Sequence, residues 1–218
     1  VDNNTIARYA LVLTKEEQQE LATLTEQLDA ETRGAEEYLN GHQELTKPLA
    51  FSRKLKKELK KMTNYQPEQH VRLMRYDFHP TVDGRWAVSE VNSDVPGGFA
   101  ESSLMPLEAM KYLPGEYDFL SFGECMVKAL EEKLPPKGRI MMVHCTSYSD
   151  DRQVMQYLGD RLEREGYSAV YAASDHLRFE NNRAISLLDG NEGEVDGIVR
   201  FSPLEWLTQV RPKHWHGY

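Results

Sequence analysis

The chain has 218 residues, 40% hydrophobic and 28% charged, which is enough apolar material for one large domain or two small ones around a real core. Its formal net charge of -9 argues against a nucleic-acid surface, because binding a phosphate backbone requires clustered Lys and Arg that release counterions. No segment approaches the ~18 apolar residues of a membrane span, and the N-terminus lacks a basic region followed by an apolar run, so neither membrane insertion nor secretion is expected.

From Thr14 to about Leu39 the sequence combines a capping box, Thr14 with Glu17, and apolar Leu21, Leu24 and Leu28 at helical spacing. This predicts a long amphipathic helix. A second helix is expected from about Leu49 to Lys61, ended by the loop at Asn64, Tyr65, Gln66 and Pro67. Its basic run, Arg53 to Lys61, has Leu55 and Leu59 at helical spacing, which points to a solvated helix face rather than a nucleic-acid patch. HVRLMRYDFHP and RWAVSEVN then flank the turn dipeptide Asp83-Gly84, predicting a β-hairpin over 69–92. Helical segments follow near Phe99 to Tyr112 and Phe122 to Leu134.

After Pro135-Pro136-Lys137-Gly138 the pattern changes. RIMMVHC is a short apolar run suited to a buried strand, and Ser149 to Arg164 reads as a helix with Val154, Tyr157, Leu158 and Leu162 on one face and Gly166 as its cap. YSAVYAA and VDGIVRF supply two more strands, with a small hairpin at Asn181-Asn182 between them. The order strand, helix, strand, strand indicates a small α/β unit. Two domains are expected: 1–136, with N-terminal helices and the hairpin, and 137–218, the Rossmann-like α/β unit. The only two cysteines, Cys125 and Cys145, belong to no C-x-x-C or Cys/His ligand pattern, and a reducing cytoplasm is expected.

The hairpin carries the chemistry. With Asp83 and Gly84 as the central pair of a type I′ turn, Val82 pairs with Arg85, Asp77 lies opposite Glu90, and Arg75 lies opposite Asn92. Opposed residues share a face, as do residues two apart along a strand, so these four side chains would project together. Met74, Tyr76, Phe78 and Val91 would take the other face. Two carboxylates opposed across a ladder repel, and a divalent cation removes the conflict. Magnesium takes oxygen donors at about 2.1 Å, and Asp77, Glu90 and the Asn92 amide oxygen suit it. Arg75 offers a planar fork matched to an acyl phosphate or tetrahedral oxyanion. A plain alternative stands beside this: Asp77 paired with Arg75, and Glu90 with Arg85 or Arg72, on an ordinary charged sheet face.

The block RYDFHPTVDGRWAVSEVNSDVPGGFAES resembles the Arg-x-Asp, short turn, Glu-x-Asn-x-Asp block of the glutathionylspermidine synthetase-like, circularly permuted ATP-grasp ligases. HCTSYSDDRQVMQYLGDRLEREGYSAVYAASDHL with VDGIVRFSPLEWL resembles the α/β subdomain that follows in that family. The resemblance covers most of 69–208. It implies an α/β fold, an ATP-grasp-like sheet portion joined to a Rossmann-like pre-ATP-grasp subdomain, in an enzyme that forms an amide from a small-molecule carboxylate and an amine. The cofactors implied are ATP and Mg²⁺, with Asp77, Glu90 and Asn92 as metal ligands and Arg75 on the activated carboxylate. Val95, Pro96, Gly97 and Gly98 stand where glutathione-using members carry small hydroxyl residues, which puts glutathione in doubt. Gly97 and Gly98, leading into a helix, are candidates for an anion cradle; the plain reading is a helix-entry turn.

The family's ATP-binding lysines and adenine pocket lie downstream of the α/β subdomain, so this sequence is expected to be a fragment without ligase turnover of its own. A non-catalytic small-molecule-binding or protein-interaction domain that keeps the ligase fold is the alternative. The sequence has neither G-x-G-x-x-G nor a P-loop. His144 and Cys145 point to opposite faces of their strand, which excludes a simple nucleophile-base pair. Ser149 or Asp150 is expected as a helix N-cap. Glu205-Trp206 resembles a feature of the same family and Arg200, two residues before Ser202, is a candidate to face a ligand cleft, but packing and surface pairing is the expected role of both; His214 and His216 receive no role.

Overall fold

The structure, a computed structural model, describes residues 7, 9–60 and 70–203. Of these, residues within 1–60 and 76–91 make one compact unit and residues within 61–75 and 92–218 a second.

In the first unit, α1 spans Lys15–Gly41. Its capping box is complete: the Glu17 amide donates to Thr14 Oγ1 at 3.1 Å and the Thr14 amide to Glu17 Oε2 at 2.8 Å. The next helix does not run continuously from Leu49. A 3₁₀ segment, Gln43–Leu49, contains Pro48 and ends at Ala50 in the left-handed region with φ 50°, so helix cannot propagate through. Helix restarts as α2, Arg53–Leu59, where the Leu55 amide donates to Ser52 Oγ at 3.1 Å. Lys61 and the predicted loop at Asn64 to Pro67 lie outside the described residues. β1, Arg75–Pro80, and β2, Trp86–Asn92, pair as a two-stranded sheet.

The second unit contains α3 (Phe99–Met110), α4 (Phe122–Glu131), β3 (Arg139–His144), α5 (Ser149–Arg164), β4 (Ser168–Ala172), β5 (Leu177–Glu180), β6 (Arg183–Ser186), β7 (Gly193–Val195) and β8 (Gly197–Phe201). β3 is central in a parallel sheet of order β4-β3-β8, with Met142 level with Tyr171 on one side and Val199 on the other. Alternation explains why RIMMVH is apolar without a break. Ile140 and Met142 enter one core cluster with Met155, Leu158 and Leu162 of α5, while Met141 and Val143 enter a second with Leu177 and Val195. All four are essentially fully buried, each side chain contributing about 1.5–3 kcal/mol. Replacing α5's fully buried Leu158 by Ala would forfeit about 2–5 kcal/mol.

The α5 terminus follows the glycine rule. Gly166 takes φ 91°, and the Tyr167 and Gly166 amides close onto the Leu162 and Glu163 carbonyls at 3.1 and 3.0 Å. β5 and β6 form the expected hairpin, with Asn181 and Asn182 at φ 52° and 61° as a type I′ pair and Glu180 level with Arg183. β7 extends it to a three-stranded antiparallel sheet. No helix among the described residues is long and apolar enough to cross a membrane.

Candidate functional site

The β1–β2 turn is not the type I′ turn expected of Asp83-Gly84. The Thr81 amide donates to the Arg85 carbonyl at 2.8 Å and the Gly84 amide to the Thr81 carbonyl at 3.0 Å, enclosing Val82, Asp83 and Gly84 in a three-residue loop. Only Gly84, φ 78°, is left-handed; Asp83 is not, as a type I′ turn would require. Side chains select this form. Thr81 Oγ1 donates to Asp83 Oδ1, and Arg85 Nε donates to Asp83 Oδ2 at 2.8 Å. The Thr81 bond, with Arg85 adding, holds the Asp83 carboxyl below its usual range. Arg85 is therefore engaged at the turn.

By itself this turn shifts the register by one residue from the expected one, which would send Asp77 and Glu90 to opposite faces. The strands are unequal, however: β1 has six residues and β2 seven, and one extra residue on β2, a β-bulge, would restore the expected register. The Ser89 hydroxyl donates to the Asp77 carbonyl at 3.1 Å. Asp77 is half-buried on β1 and Glu90 is exposed on β2.

In the second unit, Arg75 and Asn92 are both half-buried. Arg75 Nη1 donates to the Gly97 carbonyl at 3.2 Å, so the structure brings together two of the residues singled out from sequence. The segment they frame is tightly held. Val95 packs against the main core cluster, Pro96 is buried, and Phe99 meets Phe201 edge-on with ring centroids 6.1 Å apart. Gly98 is the α3 N-cap, at φ 89°, and no side chain caps the helix. The first turn of α3 thus presents backbone N–H groups unclaimed by a capping side chain. A Cβ at Gly97 or Gly98 would meet no atom within 4 Å, so the space over both is open.

Asp94 of the Glu-x-Asn-x-Asp run pairs with Arg200 of β8, Oδ1 to Nη2 at 2.6 Å, a partnership between residues 106 positions apart. Sequence reasoning noted Arg200 but left it to general surface pairing; no local spacing connects it to Asp94. Glu205, Trp206, His214 and His216 lie outside the described residues.

At the carboxyl ends of β3 and β8, where the strand order reverses around β3, the loop after β3 leads into α5. Neither Ser149 nor Asp150 is the N-cap: Tyr148 takes that position without a side-chain cap bond, and the Ser149 hydroxyl instead donates to Asp150 Oδ1 at 3.3 Å. Burial pushes the Asp151 carboxyl up, opposed by His144 and reinforced by Asp150. Both cysteines are free thiols, with Cys145 Sγ 3.0 Å from Ser147 Oγ. Among the described residues no three His, Cys, Asp or Glu side chains form a metal cluster. The proposed hairpin set is of another composition, two carboxylates and an amide, all hard oxygen donors suited to magnesium.

These elements define a mixed α/β domain with N-terminal helices and several sheets, as expected from the resemblance. Residues 3–213 match the family described as the glutathionylspermidine synthase preATP-grasp domain, and the chain belongs to that family. No curated protein matches it.

Proposed function

We propose that this domain serves an ATP-dependent carboxylate-amine ligase that forms an amide through an acyl phosphate. The observation that carries the reading is the bond from Arg75 Nη1 to the Gly97 carbonyl. It fixes a guanidinium beside the start of α3, where open space and uncapped N–H groups favour an anion. Arg75 would hold the oxyanion of the activated carboxylate, and the backbone at Gly97 and Gly98 would cradle phosphate oxygens.

For magnesium we assign Asp77, Glu90 and Asn92. A β-bulge on β2 would bring Asp77 level with Glu90, and Asn92 follows Glu90 two residues along the same strand. When bound, ATP would supply the phosphoryl group, and magnesium held by Asp77, Glu90 and Asn92 would supply charge neutralisation for it. The substrates are a small-molecule carboxylate and an amine, and a reducing cytoplasm accords with two free thiols. The test is ATP-dependent phosphate release by the full-length enzyme that carries this domain, over a panel of carboxylates and amines; release that needs both substrates and Mg²⁺ supports the reading, and none with any pair refutes it.

A second reading, a non-catalytic binding or interaction domain, has one observation in its favour: none of the 27 residues of α1 is buried. Calorimetric titration of the full-length protein with Mg²⁺ and an ATP analogue separates the two, since a scaffold gives no heat.

A further inference from the structure

We infer that Arg200 is a positioning residue: it latches the segment 93–98 and thereby sets the place of the Gly97 carbonyl, the acceptor of the Arg75 guanidinium. The inference rests on the ligase reading for its catalytic consequence, but the latch itself stands on geometry. Arg200 reaches Asp94 Oδ1 at 2.6 Å through Nη2, while its Nη1 donates to the Ser202 carbonyl just beyond β8. One planar fork thus ties the segment to the carboxyl end of the parallel sheet, and Ser202 is itself buried. The pair is neither sealed nor freely solvated, with side-chain exposures of 33% and 35%, so its geometry is fixed without the full cost of burying two charges.

The latch acts on a segment whose last two residues have no side chains to anchor it. Gly97 and Gly98 contribute no side chains, and α3 begins without a side-chain cap. Supports of the segment include Arg200 at Asp94, the core beneath Val95, and Arg75 at Gly97. Because Arg75 bonds a carbonyl of this segment, any drift of the loop moves the guanidinium's acceptor. Arg200 touches no reacting atom in this scheme; it acts through the loop.

Hydrogen exchange read by mass spectrometry tests the latch on the whole chain. Arg200→Ala should speed exchange of amides within 93–98 by about 10-fold, the cost of one charged hydrogen bond, while β3 amides stay protected. Arg200→Lys, which keeps the charge but loses the fork, should fall between. The swapped pair Asp94→Arg with Arg200→Asp should recover most of the protection. Unchanged exchange in Arg200→Ala, or acceleration spread equally through β3, overturns the latch. In the ligase assay, Arg200→Ala should lower kcat roughly 10- to 100-fold with the KM for ATP nearly unchanged. A kcat equal to that of the unaltered protein overturns the positioning role. Absence of ATP-dependent turnover in the unaltered full-length enzyme, where the ligase assay is run, refutes the ligase reading and the catalytic consequence with it, and exchange still decides the latch.

Discussion

Two adjacent glycines separate conformational need from ligand space. Gly98 sits at φ 89° with nothing within 4 Å of an added Cβ, so Gly98→Ala suffers no collision and bears only the left-handed backbone penalty. That penalty is about 1–2 kcal/mol. At roughly 2–4 °C per kcal/mol for a chain of this size, the thermal midpoint should fall by about 2–8 °C. Gly97 has no left-handed φ and the same open surroundings, so Gly97→Ala should leave the midpoint unchanged or raise it through the unfolded chain, by up to about 1 kcal/mol. The new methyl nevertheless enters the space proposed for phosphate oxygens, so ATP-dependent turnover should fall although stability does not. Thermal melts and phosphate-release kinetics on both variants supply the readouts. A Gly98→Ala midpoint equal to that of the unaltered protein refutes the strain reasoning; full activity in Gly97→Ala removes the anion cradle.

Asp77→Asn, Glu90→Gln and Arg75→Lys should each lower turnover by roughly 100-fold or more, the loss expected for one preorganised electrostatic partner, with thermal midpoints unchanged. Unaltered turnover in all three would take these residues out of the site. Burial, with Glu163 and Asp160 adding, pushes the Tyr171 phenol up to about 12. The folded state therefore holds this proton more tightly, and its contribution is complete below about pH 10 and lost as pH rises from there towards 12. Tyr171→Phe should flatten that alkaline loss in urea titrations. It should also cost nothing at neutral pH, because the hydroxyl is enclosed without a partner among the described residues. Gly159→Ala would drive its Cβ into Tyr171 Oη and should destabilise by about 1–3 kcal/mol. Combining it with Tyr171→Phe should recover part of that loss, and strict additivity in a double-mutant cycle would count against the contact.

Legibility in the sequence tracked how local the physics was. The Thr14–Glu17 box and the Asn181-Asn182 turn are complete within a few residues, and both appear as read. Asp83-Gly84 carries the same kind of signal as Asn181-Asn182 but forms a longer loop, because Thr81 and Arg85 offer the Asp83 carboxylate two partners. Pro48 and the left-handed Ala50 shortened a helix whose apolar spacing alone ran further. β7 has three residues, too few for a period to show, and exists by pairing with β6. β3 was legible from its unbroken apolar run, although alternation between two core clusters emerges only from the packing. Within the site, Arg75 and Gly97 were singled out separately, and their bond across 22 positions was not foreseeable from spacing. The Asp94–Arg200 pair was less so.

The most direct test of the metal assignment is a Mn²⁺ titration of the full-length enzyme with an ATP analogue, following the free ion by electron paramagnetic resonance. The account predicts saturable Mn²⁺ binding that is lost in Asp77→Asn and in Glu90→Gln yet survives in Asp83→Asn, a carboxylate on the same hairpin committed to its turn. Binding indifferent to Asp77 and Glu90, or no saturable binding at all, would contradict it.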